Sequence, residues 1–255
     1  MGELKKWALI TGATSGIGEA TAIELGKKGF SLWLTGRRKA RLAEFQKKWS
    51  SEFPGEIRTS SFDLTDYEAC KKSFHENNDI CSELHVLVNN AGLARGVDAV
   101  DRGEVNDWDV MIDTNIKGLL YVSRLALPHL KKLGKNSHII NLGSISGHRV
   151  YSGGVVYCAT KHAITAFSQG LRLDLHGSGV RVTNISPGMV ETEFSEVRMG
   201  DSDKAKKVYQ GMDPLTAVDI ARSIAWAVDQ PVHVNIQEMV IMPTDQADVG
   251  VVHRS

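Results

Sequence analysis

Long apolar runs are missing from this chain of 255 residues. No stretch approaches the ~20 residues of a membrane-spanning helix, so no membrane role is expected. The N-terminus lacks a secretory core: residues 1–6 are polar and the apolar run at 7–11 is far too short. Cysteine is scarce. Cys70, Cys81 and Cys158 are too few and too scattered for a disulfide framework or a zinc cage. The expectation is reduced thiols in a cytoplasmic protein with no metal site. A surplus of one charge is also absent, since thirty basic residues face thirty acidic ones. That balance argues against nucleic acid and anionic membranes, so any anion-binding site must be local. No Pro-, Gly- or Ser-rich linker or repeat interrupts the chain. Residues 1–255 therefore read as one domain, long enough to bury a sizeable core.

What is present is alternation. Short apolar runs at 7–11, 31–35, 57–62, 85–89, 138–142, 180–185 and 235–242 read as strands. Helical patterns fall between them at 16–28, 39–50, from about 65, in two stretches over 104–133, at 155–176 and at 217–228. Apolar strands separated by helices predict a parallel sheet covered on both faces. Right-handed crossovers make it doubly wound, a single-domain α/β Rossmann fold. Residues 189–212 are charged and Gly-bearing, with one short helix expected near 202–210. Their length predicts a lid over a binding site.

Thr11-Gly12-Ala13-Thr14-Ser15-Gly16-Ile17-Gly18 follows the first strand and opens the first helix. Glycines there permit a tight turn and close approach of a phosphate. The helix N-terminus adds free N–H groups and a positive dipole end. The spacing differs from the Gly-x-Gly-x-x-Gly dinucleotide fingerprint, but the position on strand one is right. Gly12, Thr14, Ser15, Gly16, Ile17 and Gly18 are thus expected coenzyme contacts. Strand two ends at Gly36-Arg37-Arg38, where an acidic residue would hold an NAD ribose and arginine accommodates a 2′-phosphate. Arg37 and Arg38 predict NADP(H); the alternative is a solvated basic helix face. Asp63-Leu64 closes strand three, where the carboxylate either accepts from an adenine amine or caps a turn. Asn89-Asn90-Ala91-Gly92 closes strand four, either as a plain turn or with Asn90, Ala91 and Gly92 against a flat ligand at the carboxyl ends of the strands.

Tyr157 and Lys161 stand four residues apart on the long helix and so share a face. A phenol is a poor base at neutral pH. A neighbouring ammonium favours the phenolate, so the pair predicts a proton shuttle in carbonyl/alcohol redox chemistry. Ser144, after strand five, is placed to donate to a substrate carbonyl. Asn115 interrupts a helical run; it either faces solvent or orders a water that carries protons to Lys161. Cys158 faces away from Tyr157 and is given no chemistry.

In order along the whole chain, the glycine turn, Asn-Asn-Ala-Gly, the helical Asn115, Ser144, Tyr157-x3-Lys161 and Pro187-Gly188 resemble the short-chain dehydrogenase/reductase family. The resemblance implies a seven-stranded Rossmann sheet, a homotetramer or homodimer, and hydride transfer without a metal. It implies Tyr157 as general acid/base and Lys161 lowering its pKa while binding the nicotinamide ribose. Ser144 would polarise the carbonyl and Asn115 sustain the proton relay. Pro187, Gly188, Val190 and Thr192 would flank the nicotinamide. Longer stretches, among them 87–93, 107–120, 171–177, 190–198 and 231–235, are similar to the NADP-dependent 3-hydroxy acid dehydrogenases, including those of serine and allo-threonine. A related branch reduces sulfoacetaldehyde. Such substrates, small anionic hydroxy acids or the matching carbonyls, need a fixed cation. The candidates are Arg198, then Arg149, then Arg95. His148-Arg149 stands where that group is expected to carry an apolar pair. A catalytically idle NADP-binding sensor is the rival from another class, disfavoured because Tyr157 and Lys161 are both present.

Overall fold

Consecutive residues of the first strand go to opposite sides of the sheet, as a strand's two-residue period dictates. Ala8 and Ile10 join one core cluster, Trp7 and Leu9 the other, and all four are buried. Both faces of this strand are therefore covered, which explains an unbroken apolar run where a half-exposed strand would alternate. The computed structural model describes residues 5–255.

The chain opens β1 (Trp7–Ile10), α1 (Gly16–Lys27), β2 (Ser31–Gly36), α2 (Lys39–Trp49), β3 (Ile57–Ser61), α3 (Tyr67–Glu76) and α4 (Asn78–Cys81). Then come β4 (Leu84–Asn89), α5 (Val105–Ile112), a π-helical turn (Asp113–Gly118), α6 (Leu119–Leu133), β5 (His138–Leu142) and α7 (Val155–Asp174). The remainder holds β6 (Arg181–Pro187), β7 (Val190–Glu191), α8 (Phe194–Met199), α9 (Ser202–Val208), β8 (Leu215–Thr216) and α10 (Ala217–Asp229). It closes with β9 (Glu238–Ile241), β10 (Gln246–Asp248) and β11 (Val251–Val252). Seven strands form one sheet in the order β3-β2-β1-β4-β5-β6-β9, with every pairing parallel. This is the expected doubly wound Rossmann sheet.

Helices α1, α2 and α10 cover one face through Leu25, Phe45, Trp49, Ile220 and Ile224. Helices α3, α6 and α7 cover the other through Phe74, Val122, Leu130 and Leu171. The order in which strands are added to the sheet reverses between β1 and β4, and ligands of such sheets settle beyond the carboxyl ends of strands at that switch point. No helix among the described residues is long and apolar enough to cross a membrane.

Three expectations change. The segment 189–212 carries two short helices, α8 and α9, where the sequence predicts one near 202–210. Six residues make under two turns, too few for a period to show. The last sheet strand is the shorter stretch 238–241 within 235–242. The two helical stretches over 104–133 run on without a break, joined by the π turn.

Candidate active site

Beyond the ends of β1 and β4 lies a cleft of about 630 Å³. All but four of the sequence-predicted residues line it; the exceptions are Gly18, Asn115, Arg95 and Arg149.

The cleft floor is made by two turns fastened to each other. Asn90 Nδ2 donates to the carbonyls of Thr11 and Gly12 at 2.9 and 3.2 Å. Thr11 Oγ1 accepts from the N–H groups of Asn90 and Ala91, each at 3.0 Å. Asn89 is buried and donates to Ser123 Oγ and Asn141 Oδ1, both at 2.9 Å. The amide nitrogens of this motif are thus spent on the protein itself, and Asn90, Ala91 and Gly92 form the cleft wall. Gly12 has φ 63°, and a Cβ on Gly18 would run into the Gly12 carbonyl and the Asn90 amide. Gly18 therefore lies beneath the turn as a close-packing residue. Helices α3 and α10 open with side-chain caps from Asp66 and Thr216, whereas Ser15 makes no such bond at the start of α1. The first N–H groups of α1 are left facing the cleft.

Arginines gather at one end. Arg38 Nε donates to Thr14 Oγ1 at 3.0 Å, and its Nη1 to Glu193 Oε2 at 2.9 Å. Arg37 faces Asp63 at 3.8 Å. Arg41 holds the Thr14 carbonyl at 3.1 Å and pairs with Glu19 at 3.2 Å. Asp63 also accepts from the Thr65 N–H and hydroxyl at 3.0 and 2.9 Å. It is thus a turn-capping carboxylate as well as a cleft residue, beside Leu64.

Ser144, Tyr157 and Lys161 meet at the other end. Ser144 is the extended N-cap of a single 3-10 turn, its Oγ accepting from Ser146 N–H at 3.1 Å. Tyr157 and Lys161 are one helical turn apart on α7 and both buried. Lys161 Nζ lies 5.9 Å from the Tyr157 ring centroid and donates to the Leu142 carbonyl at 2.8 Å. The sequence reading has the ammonium lowering the phenol pKa. In the folded chain burial acts in the opposite direction. Desolvation, and next the neighbouring Tyr151, push Tyr157 above its ordinary value, while the Ser144 hydrogen bond and the Arg198 charge oppose them. Burial also brings the Lys161 ammonium down to about 8.

Arg198, on α8, reaches across this end. Its guanidinium lies 5.3 Å from the Tyr151 ring centroid and 5.7 Å from that of Tyr157. Nη1 donates to Tyr151 Oη at 2.7 Å and Nε to the Gly96 carbonyl at 3.2 Å. Phe194 packs against Tyr157 at 5.7 Å between ring centroids.

The other two arginines are elsewhere. Arg149 has a side chain 62% exposed, 3.6 Å from Asp248. Arg95 donates to the Val197 carbonyl at 3.2 Å and borders a small cavity of about 30 Å³ that Tyr157 and Arg198 also line. His148 points under the sheet edge to Glu238 and Ser186, at 2.8 and 3.0 Å, so its departure from an apolar pair does not touch the cleft. Asn115 is 1% exposed. Its Oδ1 accepts from Leu93 N–H at 2.8 Å, and its Nδ2 donates to the Leu93 carbonyl and Thr160 Oγ1 at 2.8 and 3.1 Å. The side chain is thus turned away from solvent and pins the β4 exit to α7. Tyr151, Phe194 and Gln246 line the cleft without having been expected there. Tyr151 and Gln246 sit in or just after loops, where no periodicity marks them.

Comparison with known proteins agrees with this geometry. Residues 6–202 match the short chain dehydrogenase family, and the chain belongs to that family of oxidoreductases. A serine 3-dehydrogenase from Rhizobium radiobacter is 46% identical over 243 residues, 95% of each chain. An NADP-dependent 3-hydroxy acid dehydrogenase from Salmonella typhi is 42% identical over 97% of this chain and 99% of its own. The solved closed form of a serine dehydrogenase complexed with NADP+ superposes with a TM-score of 0.90 at 41% identity, covering 98% of this chain and 100% of the other.

Proposed function

We propose that the protein is an NADP(H)-dependent dehydrogenase of small 3-hydroxy acids of the serine, allo-threonine or 3-hydroxypropionate type, or a reductase of the matching carbonyls. The observation that carries the substrate class is Arg198. A guanidinium fixed by Tyr151 and Gly96 over the Tyr157 ring is a ready partner for the carboxylate of a molecule whose hydroxyl meets Tyr157. The names of the relatives point the same way.

The cleft fits NADP(H) at both ends. The turn at Gly12–Ile17 and the uncapped start of α1 suit the diphosphate, Arg37 and Arg38 the 2′-phosphate, and Pro187, Gly188, Val190 and Thr192 the nicotinamide. When bound, NADP(H) supplies the hydride donor or acceptor. In reduction Tyr157 gives its Oη proton to the carbonyl oxygen, which the Ser144 hydroxyl holds by a hydrogen bond. In oxidation the Tyr157 phenolate takes the hydroxyl proton. Burial keeps the phenol protonated at neutral pH, so reduction starts from the resting form of the side chain and oxidation gains as pH rises. Lys161 would hold the nicotinamide ribose of a bound coenzyme and return protons to Tyr157. Asn115 serves this relay as a positioning residue through Leu93 and Thr160.

Residues 189–212, carrying α8 and α9, form the substrate lid. We propose a homotetramer, or else a homodimer, supported by exposed apolar side chains on helices, among them Val110, Ile112, Leu120 and Leu173. The three free, buried cysteines suit a cytoplasmic setting. A nicotinamide absorbance assay with serine, allo-threonine, 3-hydroxypropionate and both coenzymes tests the reading. Turnover of neutral alcohols alone would overturn it. Sulfoacetaldehyde belongs in the panel, because a guanidinium takes a sulfonate as readily as a carboxylate.

A further inference from the structure

We infer that Glu193 limits how strongly the protein prefers a phosphorylated coenzyme, by competing for Arg38; the inference rests on the NADP(H) reading above. Arg38 follows β2 on one wall of the cleft, and Glu193 precedes α8 on the other. Their ion pair, at 2.9 Å, spans the cleft between the two walls. Every guanidinium at this end already has a carboxylate: Arg37 has Asp63, Arg41 has Glu19, and Arg38 has Glu193. A 2′-phosphate, close to a dianion, must draw on guanidinium groups that already face carboxylates and then sit beside those carboxylates.

The three carboxylates are not equivalent. Asp63 is tied into the Thr65 turn, and Glu19 sits in the first turn of α1 beneath the diphosphate seat. Among the described residues, the only ion-pair partner of Glu193 is Arg38. With side chains 46% and 48% exposed, the Arg38–Glu193 pair is held by charge more than by packing. Removing the Glu193 charge therefore releases Arg38 for the phosphate and removes a repulsion, leaving the turn below untouched. The 2′-hydroxyl of NADH carries no charge and gains nothing.

The test is equilibrium binding, read by the fluorescence of the reduced coenzymes or by calorimetry, with no turnover involved. Glu193→Gln keeps the shape and drops the charge. The expected result is an NADPH Kd about two- to fivefold lower than wild type, an NADH Kd changed less than about twofold, and a gain that shrinks in high salt. In an Arg38→Ala background the gain disappears, because the effect runs through that guanidinium. An unchanged or weaker NADPH affinity, an equal gain for NADH, or a gain that survives Arg38→Ala overturns the inference. Wild-type protein that binds NADH as tightly as NADPH overturns the coenzyme reading as well. NADPH preference without a Glu193→Gln gain overturns this inference alone.

Discussion

The Arg198 guanidinium lies over the Tyr157 ring, 5.7 Å from its centroid, although the two residues belong to different helices. One carries a permanent charge and the other the proposed transferable proton. Replacing Arg198 by Leu should cost binding of the anionic end alone. Charge-assisted hydrogen bonds of about 1.5–3 kcal/mol correspond to a kcat/KM lower by about 10- to 100-fold for 3-hydroxypropionate. A neutral alcohol of similar size should lose far less, and steady-state kinetics on the two substrates separates the cases.

Tyr157→Phe removes the hydroxyl and keeps the ring under Arg198. Turnover should fall by about 10²–10⁴, while fluorescence titration shows NADPH still bound. A variant that turns over normally removes Tyr157 from the chemistry.

Arg37 and Arg38 should discriminate between coenzymes. With both changed to Ala, the NADPH Kd is expected to rise about tenfold or more, with a much smaller change for NADH. Equal losses in a binding titration would contradict a 2′-phosphate role.

Lys161 makes stability depend on pH in a definite direction. Its pKa falls from 10.5 to about 8 on folding. Below about 8 both states hold the proton and the buried charge costs stability in full. Between about 8 and 10.5 the unfolded chain binds the extra proton, so stability rises with pH. Tyr157 acts oppositely: its raised pKa removes stability as pH climbs past the ordinary phenol value. Thermal melts of wild type and Lys161→Met, compared from pH 7 to 10, should shift in favour of wild type above about pH 8. A constant difference would place the lysine in a solvated environment.

Gly18→Ala tests the floor of the cleft. The added Cβ meets the Gly12 carbonyl and the Asn90 amide, and overpacking of this kind costs about 1–3 kcal/mol. A lower Tm and weaker coenzyme binding should appear together, since one contact supports both.

Much of this was legible in the chain because it is periodic or local. Trp7-Ala8-Leu9-Ile10 announces a strand covered on both sides, and Tyr157 with Lys161 declares a shared helical face. Arg198 could be named as a cation but not placed. Its partners Tyr151 and Gly96 lie far away in sequence, and nothing in α8 encodes how it crosses the cleft. The sequence offers Asn90 as a plain turn residue or a ligand contact, and Asn115 as a solvent-facing or water-ordering amide. Their nitrogens donate to Thr11, Gly12, Leu93 and Thr160, partners distant in sequence, because buried amides take whatever acceptor the fold brings nearest. The upward push of burial on Tyr157 is hidden for a related reason: i,i+4 spacing reveals a neighbour but not how much water both have lost.

The π turn at Asp113–Gly118 has a consequence for how this region can change. Each residue of an α-helix advances the chain by about 100° around the axis, so one residue more or fewer here would swing all of α6 by that angle. Val122, Ala126 and Leu130 would leave the sheet, and Asn115 would lose Leu93. The length of this stretch is therefore as constrained as two of its residues: Asn115, with its bonds to Leu93 and Thr160, and Gly118, where an added Cβ would meet Leu64.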